Sequence, residues 1–149
     1  MSLVSLDTNI LIWAIKKQAS PGQEEMISKA NNLLEHISRS NQRAMVSTIV
    51  VSELLMNVNP DSIPVMTSVI EKTFMVVPFD TQSAMMFARI WQEKNGAIEE
   101  LKQSGIGRQQ LKADCLIVAS AIARKAICIY SNDKGLRKFA EGFIDVFGI

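Results

Sequence analysis

The chain has 149 residues, 48% of them apolar and 21% charged, with a formal net charge of +1. That balance belongs to a globular protein and excludes a disordered one, and the length fits one domain with a real core and little room for a second. Two cysteines and a lone histidine, His36, on a predicted helix, argue against a zinc site and against a histidine-based triad.

Cys115 and Cys128 sit inside apolar runs without C-x-x-C spacing, which reads as small buried hydrophobes in a reducing compartment. No run approaches the roughly 18 apolar residues of a membrane span, and no basic leader opens the chain. A soluble, cytoplasmic protein without a membrane partner is expected.

In chain order, Leu3-Val4-Ser5-Leu6 predicts a buried strand over about 3–7, stopped by Asp7-Thr8-Asn9. An apolar helical pattern follows over about 9–18, and Ala19-Ser20-Pro21-Gly22 breaks it. Met26, Ile27, Ala30, Leu33, Leu34 and Ile37 fall at helical spacing within 23–39. After a turn at Asn41-Gln42, residues 44–47 read as a short strand and Thr48 as the cap of a helix that ends before Pro60. A further helix is expected over about 62–72 and a strand over 74–79, with Pro78 near its end.

The helical period returns from Asp80 to about Lys94. Asn95-Gly96 and 104–107 read as loops around a short helix. Residues 109–124 form the most apolar helix, with no charge from Cys115 to Ala123. A strand over 126–131, a turn at 132–135, a short helix over 134–140 and an edge strand over 143–147 complete the chain. Strands alternating with helices predict a parallel sheet with right-handed crossovers and helices on both faces.

Charge is unevenly spread. From Lys102 to Lys138 there are eight bases against two acids, a local balance of +6. Such a patch attracts a polyanion such as nucleic acid, and Lys102, Arg108, Lys112, Lys134, Arg137 and Lys138 are candidates to meet its backbone.

Four acids stand where an acid is costly. Asp7 ends the first strand, at the edge where open α/β sheets bind ligands, although a helix cap explains it equally well. Glu53 lies among Val50, Val51, Leu54 and Leu55, with no capping box to account for it. Asp114 opens the charge-free helix, where the helix dipole is its plainer explanation. Asp133 follows the fourth strand in an ordinary turn sequence, Asn-Asp-Lys-Gly. All four converge on one edge of the inferred sheet. Crowded carboxylates repel and raise one another's pKa, so the cluster calls for a counter-ion, and hard divalent cations such as Mg²⁺ or Mn²⁺ suit oxygen ligands. Such ions activate water and steady the leaving oxygen in phosphodiester hydrolysis.

Leu6-Asp7-Thr8-Asn9, Ser52-Glu53-Leu54, Ala113-Asp114-Cys115-Leu116-Ile117-Val118-Ala119 and Ser131-Asn132-Asp133 together resemble the PIN-domain ribonucleases, especially the toxins of VapBC toxin–antitoxin pairs. The resemblance implies an α/β/α sandwich around a parallel, twisted four- to five-stranded sheet, and Mg²⁺- or Mn²⁺-dependent endoribonuclease activity. It makes Asp7, Glu53, Asp114 and Asp133 the catalytic, metal-binding carboxylates. Thr8 or Asn9 would orient Asp7, and Ser131 would act near Asp133. It further implies RNA as substrate, a small antitoxin protein as partner, and a homodimer. Ser131 stands where threonine is usual, and Gly135 where many members add an acid, which leaves one metal as plausible as two. The alternatives are a non-toxin RNA-processing nuclease and a non-catalytic PIN-like binding module. Aspartyl-phosphate chemistry of the haloacid-dehalogenase type would need an acid where Asn9 stands, and no G-x-G-x-x-G follows the first strand.

Overall fold

The computed structural model describes residues 1–149. Its strands are β1 (Ser2–Leu6), β2 (Gln42–Ser47), β3 (Met75–Val77), β4 (Cys128–Tyr130) and β5 (Asp145–Phe147). The helices are α1 (Thr8–Ala14), α2 (Glu25–Arg39), α3 (Thr48–Leu55), α4 (Ile63–Thr73), α5 (Thr81–Glu93), α6 (Asn95–Gln103), α7 (Arg108–Ala123) and α8 (Lys134–Ala140), with a single 3-10 turn at Pro60–Ser62 before α4.

All five strands are parallel, in the order β3-β2-β1-β4-β5. The first strand is therefore the central one. Val4 pairs with Ala44 on one side and with Cys128 on the other. A central strand covered on both faces has no solvent side, so Val4, Ser5 and Leu6 are buried in succession and do not alternate. The chain winds from β1 to β2 and β3, then returns across the sheet to β4 and β5. Right-handed crossovers put α1 to α4 on one face and α5 to α8 on the other, which is the expected α/β/α sandwich. The reversal opens a crevice between the carboxyl ends of β1 and β4.

Several boundaries differ from the sequence reading, each for a local reason. Helix α1 stops at Ala14: the N–H groups of Ile15 and Lys16 both donate to the Leu11 carbonyl, and Lys17 turns left-handed at φ 56°. The cap of α3 is Ser47, whose hydroxyl accepts from the N–H of Ile49 and Val50, and not Thr48. Thr48 Oγ1 instead accepts the Phe79 N–H at 3.2 Å and ties the end of β3 to α3. Asn95-Gly96 is not a loop but the start of α6. The break falls one residue earlier, at Lys94, and a first helical turn tolerates glycine because its N–H groups have no helical partner.

Helix α7 is buried on most sides, and Ala119, Ser120 and Ala121 allow close approach. Cys115 and Cys128 are buried free thiols, as expected, and burial pushes Cys115 up to about 12. No helix is long and apolar enough to cross a membrane.

Candidate functional site

The site begins with strand register. Leu6 is the last residue of β1 paired with β4, opposite Tyr130, and the Asp7 N–H continues the ladder to the Tyr130 carbonyl at 3.1 Å. Beyond that bond the two chains part, β1 into α1 and β4 toward α8. Asp7 is extended (φ −80°, ψ 162°) and caps α1, its Oδ1 accepting the Thr8 N–H at 2.7 Å. Its Oδ2 accepts the hydroxyl of fully buried Ser131 at 2.7 Å. The same Ser131 oxygen accepts the Asp133 N–H at 2.9 Å, and Asp133 caps α8 through the Leu136 N–H at 2.9 Å. One hydroxyl thus fixes the two strand-end acids relative to each other. For Asp7 and Asp133, capping and membership of the cluster are both true.

The other two acids come from helices. Glu53 on α3 accepts the Thr8 hydroxyl at 2.8 Å, so Thr8 holds Asp7 with its backbone and Glu53 with its side chain. Asp114 lies in the second turn of α7, out of reach of the first-turn dipole explanation, and is 2% exposed. Its Oδ1 accepts from Gln110 Nε2 at 2.9 Å, and its Oδ2 is buried with no partner. Asn9, expected to orient Asp7, makes no side-chain bond to an acid and lines the crevice instead.

No lysine or arginine pairs with any of the four acids; the ion pairs of the molecule lie elsewhere. The consequence is electrostatic. Burial raises Asp7 to about 6, opposed by its bonds to Ser131 and Thr8 and helped by the charges of Asp133 and Glu53. Burial, then the charges of Asp133 and Asp7, raises Asp114 to about 8. As they lie, no three of these side chains already form a coordination cluster. The donor set nevertheless fits a hard divalent cation: oxygen only, without a cation of its own, and with one buried carboxylate oxygen unsatisfied.

Two residues that the sequence did not single out as parts of the site shape it. Gln110 precedes Asp114 by one helical turn, a spacing at which side chains on one helix face meet, so the signal was present. Gly135, in the first turn of α8, lies against the acids: a Cβ there would stand 2.8 Å from Asp114 Oδ2 and 3.3 Å from Asp133 Oδ1. Only a residue without a side chain lets α8 come this close.

The basic candidates differ in what already engages them. Lys134 lines the crevice beside Asp133, and Arg108 and Lys112 are exposed on the first turns of α7. Lys102 is paired with Glu99, and Arg137 donates to the Val146 carbonyl at 3.1 Å. Lys138 is half-buried. Arg124, part of the same run of positive charge, is engaged by Asp80 at 3.0 Å.

Solved structures with this fold include a chain of VapBC2 from Rickettsia felis bound to a promoter DNA fragment, 20% identical over 99% of this chain and 98% of that one, with a TM-score of 0.68. A chain of DNA-bound VapBC from Salmonella typhimurium is 24% identical over 99% and 98%, at TM-score 0.62. One of VapBC-1 from nontypeable Haemophilus influenzae is 18% identical over 98% and 97%, at 0.63. At such identities the shared property is the fold. No curated protein sequence matches the chain. The PIN-domain family model, however, matches residues 4–142, a span that runs from β1 through α8 and contains all four acids, and the chain therefore belongs to the PIN-domain family.

Proposed function

We propose that the protein is a divalent-metal-dependent endoribonuclease, the toxin of a toxin–antitoxin pair. The observation that carries this reading is the unpartnered, buried Oδ2 of Asp114 among acids that no basic side chain neutralises. Asp7, Glu53, Asp114 and Asp133 would hold Mg²⁺ or Mn²⁺, which when bound supplies Lewis acidity and lowers the pKa of water for phosphodiester hydrolysis. Ser131, Thr8 and Gln110 keep the carboxylates in place. Lys134, Arg108 and Lys112 draw the RNA backbone to the edge of the site, with Lys102, Arg137 and Lys138 further out.

The toxin role is supported by the VapBC complexes that share the fold. A small antitoxin then covers the crevice, and the protein works as a homodimer. In the test, purified protein cleaves RNA with Mn²⁺ or Mg²⁺ and not in EDTA, and Asp114→Asn does not cleave. Mn²⁺ also raises the melting temperature of the wild type and not of Asp114→Asn. Equal cleavage by the two proteins would sink the proposal. For the toxin role, expression alone should arrest growth, and a small antitoxin gene should adjoin this one and relieve the arrest on co-expression.

A further inference from the structure

Each of the four acids is held by a donor of the protein itself, and the donors fall on particular oxygens. Both oxygens of Asp7 are taken, Oδ1 by the Thr8 N–H and Oδ2 by the Ser131 hydroxyl. Glu53 Oε1 accepts the Thr8 hydroxyl, and Asp133 Oδ1 accepts the Leu136 N–H. Asp114 Oδ1 accepts from Gln110 Nε2 at 2.9 Å. No acid of the cluster keeps both oxygens free.

Asp114 is the most sharply divided. Its Oδ2 is buried and without a partner, in a residue only 2% exposed. The room beside that oxygen exists because residue 135 is glycine. A Cβ at Gly135 would meet Asp114 Oδ2 at 2.8 Å and Asp133 Oδ1 at 3.3 Å, whereas Asp114 Oδ1 lies farther off, held by Gln110. One oxygen of Asp114 thus faces a second acid across a small gap, and the other is committed to an amide.

This division bears on the choice of ion. Ca²⁺ takes about 6–8 oxygens, and carboxylates that give it both oxygens help it to reach that number. Mg²⁺ takes about six in strict octahedral geometry, with a few single carboxylate oxygens and water in the remaining places. An unrestrained cluster of acids favours Ca²⁺, because Mg²⁺ gives up its water reluctantly. Carboxylates that each offer one oxygen reverse that order.

We propose that Gln110 is a positioning residue for ion selectivity: by holding Asp114 Oδ1 it leaves that carboxylate a single oxygen for a divalent cation, and so sets the site for Mg²⁺ against Ca²⁺. The inference rests on the reading of the acids as a metal site and adds to it the residue that selects the ion. Gln110 is itself exposed, so it can be replaced without disturbing the core.

The test uses Mn²⁺ as a spin probe, without RNA and without cleavage. Binding of Mn²⁺ to the whole protein is followed by the loss of the free-ion EPR signal, and Mg²⁺ or Ca²⁺ is then added until the signal returns. In wild type about tenfold less Mg²⁺ than Ca²⁺ should displace Mn²⁺. Gln110→Met, which keeps the length of the side chain and loses its N–H donors, should bring the two within about twofold, and Gln110→Ala should do the same, because Ca²⁺ gains an oxygen that Mg²⁺ does not use. A role in packing alone would weaken both ions alike and leave the ratio unchanged. Displacement from wild type by Ca²⁺ as readily as by Mg²⁺, or a ratio that survives both substitutions, overturns the inference, while the bound Mn²⁺ keeps the metal site. Failure of wild type to bind Mn²⁺ at all overturns both.

Discussion

Asp7 and Asp80 occupy the same station in two β–α units. Each follows a strand, each is extended, and each caps the next helix. Their surroundings are opposite. Asp80 is 37% exposed at its side chain, accepts both the N–H and the hydroxyl of Ser83, and pairs with Arg124 at 3.0 Å. Those Ser83 bonds, with Arg124 behind them, hold its carboxyl below the usual range. Asp7 is buried, faces other acids and has no cation, and its carboxyl is raised. An acid after a strand is therefore no signature by itself. What sets Asp7 apart is a charge that the fold has buried and left unneutralised, a perturbation that clusters at functional sites.

Removing each charge in turn tests this contrast most directly. Asp7→Asn should lower Mn²⁺-dependent RNA cleavage by at least about 100-fold, since even the supporting partners of metal ligands matter on a scale of 10–100. Asp80→Asn should leave cleavage within about twofold. A fluorogenic RNA assay decides, and similar losses in both variants would erase the distinction.

The second measure is stability against pH without divalent metal. Asp7 and Asp114, at about 6 and about 8, lie above the roughly 3.9 of an unfolded aspartate. Their contribution is fully present below about pH 4 and is lost as pH rises through 6 and then 8. For Asp80 the sign is reversed, since a lowered pKa stabilises above the unfolded value and fails on acidification. Metal-free Asp114→Asn should accordingly melt several degrees above wild type at pH 8, at about 2–4 °C per kcal/mol for this size, and close to it at pH 4.5. Millimolar Mn²⁺ should narrow the gap at pH 8. A gap that does not change with pH would mean that the Asp114 carboxylate is not strained.

The smallest expected effect is at the hydroxyl that joins the strand ends. Ser131→Ala leaves Asp7 Oδ2 and the Asp133 N–H without partners, a cost of about 1–3 kcal/mol in stability and about tenfold in cleavage. Ser131→Thr keeps the hydroxyl and should restore most of both. Thermal melts and cleavage rates of the pair show whether the hydroxyl or only the volume matters.

The element order was legible because apolar periods switch cleanly between strand and helix along this chain, and the four acids stood out because Asp7, Glu53 and Asp114 interrupt apolar segments and Asp133 follows a strand end. Less visible were choices between neighbours of like chemistry. Ser47 and Thr48 are adjacent hydroxyls, and only the position of Phe79 decides which one caps α3. Asp80 carries the same local pattern as Asp7, and its innocence depends on Arg124, 44 residues later. A count along the chain also misses the partners of three members of the basic run, Glu99, Asp80 and the β5 carbonyl. Gly135 read as the absence of a ligand, whereas it is the condition for α8 to close over Asp114.

The bond from Ser131 to Asp7 spans 124 residues of sequence. A chain emerging from the ribosome exposes Asp7 early, as an ordinary solvated carboxylate capping a nascent helix. It becomes part of a cluster only when β4 has been synthesised and has slid in beside β1, a long-range closure that local structure cannot replace. On the proposed function, the capacity to cut RNA would then switch on in one step, late in folding.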